Sequence, residues 1–148
     1  MMAFHSVLPE LAAREVRFVR TGSGTAALAP GLPADAYAYI EFCCEDLDCA
    51  CRRVFLQVMA KNQPHQVFAS INYGWEPEDF YRKKTPWDPD SASGTVRAEL
   101  DAMNAQSPFS NVFLELFQQM VLDAEYRLRL ARHSRLFREA LARRRPKR

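Results

Sequence analysis

The fold is decided by the stretch YAYIEFCCEDLDCACRRVFLQVMA, residues 37–60. Its two ends, residues 37–43 and 54–60, are rich in the aromatic and β-branched residues that suit pleated strands. Residues 67–73, with the sequence VFASINY, have the same character, and residues 62–65 suit a hairpin connection between the last two segments. The pattern predicts an antiparallel sheet of three to four strands.

The regions on either side of these strands have weaker patterns. Residues 15–20 (EVRFVR) alternate apolar and polar side chains, which indicates a short extra strand, whereas residues 21–36 hold the Gly and Pro residues typical of a loop. Downstream, we expect a short helix from Pro77, a loop over residues 84–94 and a helix over residues 95–105.

The C-terminal part is predicted to be helical. Ser107 and Pro108 provide a cap residue followed by Pro at the first helical position, which is a typical helix start. Apolar residues then recur at helical spacing on one face, but this face shifts near Asp123. Either the helix breaks there, or one long helix meets different partners at its two ends. The stripe beyond the shift is Leu122, Tyr126, Leu130, His133, Phe137 and Leu141.

Strands followed by helices predict the α+β class, with a small antiparallel sheet packed against C-terminal helices. We expect a single domain over residues 1–148, with residues 1–14 and 143–148 as loose termini. The formal net charge of +2 gives no general signal for nucleic-acid binding. No apolar run is long enough to span a membrane and the N-terminus lacks a secretory pattern, so we expect a cytoplasmic protein.

Residues 43–51 contain all four cysteines of the chain. In a reducing compartment, such clustering indicates metal binding more often than disulfide bonding. The C-x4-C-x-C spacing lets a turn bring Cys44 back over Cys49, and strand alternation points Cys49 and Cys51 in the same direction. Three thiolates that converge in this way suit a structural zinc ion. Cys43 is expected to face the opposite side as a packed thiol.

Two other interpretations of the cysteine cluster stay open from the sequence. Reduced cysteines can be buried as small hydrophobic residues without any ligand. A redox pair is the other possibility, but Cys-Cys and Cys-Ala-Cys are too short for an easy unstrained disulfide.

A tetrahedral zinc ion needs a fourth ligand, and the chain has three histidines. His5 lies near the N-terminus, and His65 lies in the expected hairpin turn, away from the cysteines. His133 lies on the core-facing stripe of the last helix, so it is the predicted fourth ligand in a site of three cysteines and one histidine. The competing interpretation is a hydrogen-bonded core histidine, and Asp46 and Asp48 are the alternative ligands.

The order of these residues resembles a family of uncharacterised bacterial proteins, and it is loosely similar to the short zinc-binding SEC-C motif. The resemblance covers roughly residues 35–140. Ala50 and Ser134 depart from the family pattern, in which an acid and an aromatic residue are expected. The resemblance implies a metal site and no particular activity. It is carried by Tyr39, Glu41, the C-x4-C-x-C motif with Arg52, Ile71-x-Tyr73-Gly74, Arg132-His133 and Phe137.

Two classes of function fit these observations. The favoured hypothesis is a non-enzymatic, zinc-stabilised interaction module, whose unknown partner is expected to be a protein. The alternative is a zinc-dependent metalloenzyme with water as the fourth ligand and Glu41 or Asp48 as the base. Three thiolates make zinc a weak Lewis acid, which disfavours this alternative.

Two further segments have the composition of nucleic-acid contacts. The tail from Arg143 to Arg148 is basic. The preferred interpretation is a solvated helix end, where positive charge interacts favourably with the helix dipole. An aromatic stretch precedes and follows three basic residues, a composition seen in base-stacking surfaces, although core packing and loop anchoring explain it better. Its members are Tyr73, Trp75, Phe80, Tyr81 and Trp87.

Overall fold

The computed structural model describes residues 1–21 and 29–146. The strands are β1 (Met2–Ala3), β2 (Arg17–Arg20), β3 (Ala36–Cys43), β4 (Arg53–Ala60), β5 (Gln63–Gly74) and β6 (Glu99–Leu100). The helices are α1 (Phe4–Val7), α2 (Pro9–Glu15), α3 (Glu78–Lys84), α4 (Pro89–Arg97), α5 (Ser110–Leu116) and α6 (Ala124–Arg144). A π-helical turn, Phe117–Val121, continues α5. The loop predicted for residues 21–36 includes residues 22–28, which lie outside the described residues.

The strands of the described residues form one antiparallel sheet with the order β1-β3-β4-β5-β6. β2 also pairs with β3, on the edge that β1 occupies, because β4 takes the other edge. The predicted α+β class is confirmed. The six strands found exceed the predicted three to four, because β1 and β6 are two-residue strands that carry no periodic signal.

One face of the sheet is covered by the C-terminal helices. Every second residue of β3 is buried against them, as period-two alternation requires. The Tyr37 ring lies 4.8 Å from the Phe113 ring, and the Tyr39 ring lies 5.5 Å from the Phe117 ring, measured between centroids. The Tyr39 hydroxyl donates to the Phe113 carbonyl at 2.8 Å, which leaves this buried phenol satisfied.

The helical region breaks at Asp123, so the first of the two alternatives for this region is correct. The π-helical turn ends with a hydrogen bond from the Leu122 N–H to the Phe117 carbonyl at 2.9 Å. The Asp123 carboxylate then accepts from the Tyr126 N–H at 2.7 Å and caps the start of α6. This cap starts a new helix with its own buried face.

Residues 1–14 are not a loose terminus, contrary to the prediction. They form β1, α1 and α2, and they bury Phe4 and Val7 in a cluster with Cys43 and Phe137. At the other end α6 extends to Arg144, whose guanidinium donates to the Val7 carbonyl at 2.9 Å. The prediction fails because the contacts that order these residues come from the other end of the chain, and such contacts give no local signal in the sequence. Residues 147–148 lie outside the described residues.

The predictions for residues 84–105 are also wrong. α4 occupies most of the expected loop, and β6 lies within the expected helix. The Asp-Pro pair at residues 88–89 starts α4, with Pro at the first helical position. Ala98 has φ 72°, a positive value that residues with a Cβ rarely adopt, where the chain turns from α4 into β6. Among the described residues, no helix combines the length and the apolar character that a membrane span requires.

Candidate metal centre

The loop between β3 and β4 brings three thiols together. The Sγ atoms of Cys44, Cys49 and Cys51 all lie within 4.8 Å of one another. Sulfur ligands at ~2.3 Å from a tetrahedral zinc ion lie ~3.8 Å apart, so a small adjustment would place all three on one ion. The predicted cysteine cluster is close enough to hold a metal ion.

Local hydrogen bonds shape this loop. The Cys49 N–H donates to the Asp46 carbonyl at 3.2 Å, and the Asp48 N–H donates to Asp46 Oδ1 at 3.0 Å. These bonds close the turn that carries the second thiol back toward Cys44, as the spacing predicts. At the end of the loop Arg52 has φ 47°, a strained conformation for a residue with a Cβ, just before β4 begins.

Arg138 on α6 fastens the loop from one side. Its guanidinium donates to the main-chain carbonyls of Leu47 and Cys49. A planar guanidinium can satisfy two carbonyls at once, which fixes the orientation of the loop as well as its position. The last helix is therefore joined to the cysteine loop, but by an arginine and not by a histidine ligand.

Residues of α3 fasten the loop from the other side. Lys84 Nζ donates to the Ala50 carbonyl at 2.5 Å, and the Tyr81 hydroxyl donates to the Arg52 carbonyl at 2.6 Å. Arg52 also pairs with Glu76 at 2.8 Å. The predicted loop-anchoring role of the aromatic stretch thus fits Tyr81, which is fully buried, whereas Trp87 is exposed.

The thiols differ in their tendency to ionise. A hydrogen bond from Cys51 lowers the pKa of Cys49, because it stabilises the thiolate. Burial raises the pKa of Cys51 to about 11. Binding of a metal cation requires thiolates, so it would release protons from this site.

Cys43 lies apart from the other three cysteines, as predicted. Its side chain is buried with Phe4 and Phe137, behind the loop. Burial raises its pKa to about 12, so it stays a neutral thiol. This cysteine serves as a small apolar core residue.

The structure does not bring His133 to the cysteine cluster. Its Nδ1 atom lies 2.7 Å from Glu41 Oε2, and its ring stacks on Phe4 with centroids 4.4 Å apart. The imidazole is only 1% exposed. The competing interpretation, a hydrogen-bonded core histidine, describes this position. His5 and His65 are both exposed, and neither belongs to the cluster.

His133 belongs to a buried polar network. Glu41, which is 6% exposed, also accepts from the Tyr126 hydroxyl at 3.1 Å. His133 Nε2 lies 3.5 Å from Glu15 Oε2. Glu15 in turn pairs with Arg129 and Arg132 of α6. The network joins α2, β3 and α6, which makes it a structural connection between three elements.

The cysteines open onto a cavity of about 630 Å³. Asp48, Ser134 and Arg138 are among its other lining residues, whereas His133 lines a different cavity. Within the described part of the chain, no histidine, aspartate or glutamate side chain joins the three thiols at the same mutual distances. The fourth coordination position of a bound ion would therefore face this cavity.

Sequence reasoning misses the structural roles of two residues that shape these sites. Glu41 lies on the same inward face of β3 as Tyr37 and Tyr39, so the strand pattern already indicates a buried acid that needs a partner. That signal could have matched it with His133 on the inward stripe of the last helix. Arg138 gives no such signal, because an arginine that binds main-chain carbonyls looks like any surface arginine in the sequence.

Comparison with known proteins does not assign the chain to a family. The chain matches no protein-family model, no curated protein and no solved structure. The resemblance to SEC-C-like proteins therefore stays a prediction, and the site is interpreted from its own residues.

Proposed function

We propose that Cys44, Cys49 and Cys51 bind one zinc ion that holds the β3–β4 loop in shape, in a non-enzymatic interaction module. The observation that carries the proposal is the approach of three thiols within 4.8 Å, on a loop that is already anchored by α3 and α6. Thiolate sulfur selects soft and borderline metals such as zinc over magnesium or calcium.

The fourth ligand comes from the cavity side of the loop. Asp48 lines that cavity and is exposed, so its carboxylate can turn toward the ion. Asp46 is less suited, because its Oδ1 already accepts from the Asp48 N–H. A water molecule is the other available donor, since the cavity of about 630 Å³ has room for solvent.

A zinc-dependent enzyme is the second candidate function, and the cavity beside the thiols is the observation that favours it. Catalytic zinc keeps an open position, which a water ligand would provide. Glu41 cannot act as its base, because that carboxylate is buried and engaged by His133 and Tyr126. Of the two bases considered from the sequence, this leaves Asp48, which is also the residue best placed to be the fourth ligand. The non-enzymatic module is therefore the better supported function.

Metal analysis tests the central proposal. Untagged protein purified under reducing conditions without chelator is expected to contain about one zinc per chain. Replacement by Co²⁺ is expected to produce the sulfur-to-cobalt charge-transfer band of a thiolate-rich tetrahedral site. A protein without metal, or a cobalt spectrum without this band, would contradict the proposal.

Ligand exchange on the cobalt-substituted protein separates the two functions. If Asp48 closes the site, added imidazole leaves the cobalt spectrum unchanged and Asp48→Asn alters it. If water fills the fourth position, imidazole shifts the spectrum in the wild type and Asp48→Asn has no effect. The second pattern would favour the enzyme.

A further inference from the structure

We propose that a second cavity, on the other side of α6, binds a small, uncharged and mostly apolar molecule that carries one hydroxyl group. This cavity has a volume of about 300 Å³ and lies between α1, α2 and β3. It shares no lining residue with the cysteine cavity, so the inference stands apart from the metal proposal.

The cavity lies at a gap in the sheet edge. β1 pairs with residues 42–43 of β3, and β2 pairs with residues 36–39 on the same edge. Among the residues that the structure describes, Ile40 and Glu41 therefore have no strand partner on this edge. α1 and α2 connect β1 to β2 across the gap, and the space between them is lined by both helices and by β3. Topology alone creates this opening.

Most of the cavity wall is apolar, with Phe4, Pro9, Ala12, Val16 and Ile40 among the lining residues. Its volume of about 300 Å³ is at the lower end of small-molecule sites, which span about 300–1,000 Å³. An occupant must therefore be small, and most of its surface must tolerate contact with hydrocarbon. A charged molecule would lose its hydration without compensation from these walls.

In the described part of the chain, one buried side-chain nitrogen lacks a hydrogen-bond partner. His133 lines the cavity, and its Nε2 has no hydrogen-bond partner among the described residues. We assign the tautomer in which the Nδ1–H donates to Glu41 Oε2, 2.7 Å away, so that Nε2 carries the lone pair and accepts. The carboxylate of Glu15, whose Oε2 lies 3.5 Å from Nε2, is itself an acceptor. The missing partner must therefore be a donor.

The charges around the cavity select a hydroxyl group. An anion would be repelled by Glu15 and Glu41. An ammonium group would find both carboxylates already engaged, Glu15 by Arg129 and Arg132, and Glu41 by the imidazole and by Tyr126. A neutral O–H satisfies Nε2 without adding a charge.

A matched pair of probes tests the inference. p-Cresol carries the hydroxyl, and toluene has nearly the same apolar body without it. NMR of ¹⁵N-histidine-labelled protein is expected to show saturable p-cresol binding that shifts the Nε2 resonance of His133. p-Cresol is expected to bind about tenfold more tightly than toluene, the effect of one hydrogen bond.

Variants locate the binding. His133→Phe retains an aromatic ring against Phe4 and removes the acceptor, so p-cresol is expected to lose its advantage over toluene. Because this change deprives Glu41 of a partner and could unfold the chain, Ala13→Leu is the second variant: it places a larger side chain in the cavity and should weaken both probes. Met103→Ala, at a 91% exposed residue, is the control and should change neither.

Two results would overturn the inference. The first is equal affinity of the wild-type protein for p-cresol and toluene, or no saturable binding of either. The second is a His133 ring that carries protons on both nitrogens at neutral pH, since Nε2 would then donate to Glu15 and no acceptor would await a ligand.

Discussion

The two sides of α6 hold their neighbours in different ways. On one side Arg138 donates to neutral carbonyls of the cysteine loop, and on the other His133 and Tyr126 bind the buried carboxylate of Glu41. The first contact positions a loop, whereas the second stabilises an acid inside the core. One helix therefore carries two kinds of contact. Loss of the arginine leaves only neutral carbonyls that water can reach, whereas loss of either partner in the core leaves a buried polar group unpaired.

The largest effect is expected from breaking the cysteine side itself. Cys49→Ser should abolish zinc binding and lower the free energy of unfolding. The loss should be smaller than the roughly 10–16 kcal/mol that zinc contributes to finger peptides, because the sheet has its own core here. Chelator competition and urea unfolding measure both quantities. Cys43→Ala is the control that keeps zinc, and full zinc content in Cys49→Ser would remove this residue from the site.

The next largest effect is expected on the opposite side of α6. Glu41→Ala leaves His133 and Tyr126 without their shared acceptor. Since each buried donor left unpaired costs about 1–3 kcal/mol, the free energy of unfolding should fall by about 2–6 kcal/mol. Zinc content of the folded protein should not change. Urea unfolding gives the energy and elemental analysis gives the metal. Glu78→Ala, which breaks an exposed pair with Arg82, should cost less than about 1 kcal/mol. Equal losses in the two variants would contradict a special role for the network.

A moderate effect is expected from loosening the loop anchor. Arg138→Met keeps the aliphatic stem but removes the donors to the Leu47 and Cys49 carbonyls, so unfolding should become easier by about 1–3 kcal/mol. Zinc affinity should fall, because the thiols are no longer held close together. Arg135→Met removes only an exposed pair with Glu139 and is the control. Isothermal titration with zinc compares the two, and identical affinities would assign the loop shape to α3 alone.

The smallest effect is expected at the end of α6. Arg144→Ala removes the donor to the Val7 carbonyl and should lower stability by about 0.5–1.5 kcal/mol. Arg143→Ala should change it by less than about 0.5 kcal/mol, since Arg143 makes only exposed contacts with Glu139. Thermal unfolding of both variants decides the comparison. An unchanged melting temperature in Arg144→Ala would show that the contact with the Val7 carbonyl does not stabilise the fold.

Local pattern predicts the three long strands because each is a run of β-forming residues with inward and outward alternation. The observed bounds of β3 and β4 differ from the predicted ones by single residues. β1 and β6 exist only through pairing with distant strands, so no local signal can reveal them. The same holds for the docking of residues 1–14, which depends on Phe137 and Arg144 at the other end of the chain.

The cysteine cluster is predictable because its loop closes locally, with the spacing and the turn in one short segment. The position of His133 is not, since its partner Glu41 is 92 residues away in the sequence. Helical periodicity predicts that His133 faces inward, which is confirmed. Periodicity cannot predict which neighbour meets that face. The need of zinc for four ligands favours pairing His133 with the cysteines, which lie on the opposite side of the helix.

The contacts between the N-terminal segment and α6 affect the order in which the chain folds during synthesis. Glu15 and Arg132 are 117 residues apart, and Val7 and Arg144 are 137 apart. On the ribosome, residues 1–16 emerge before α6, and they gain these neighbours only after α6 has left the exit tunnel. Until then Phe4 remains open to chaperones and proteases. Contacts between distant residues slow folding, so docking of α6 onto this segment is expected to be the last step.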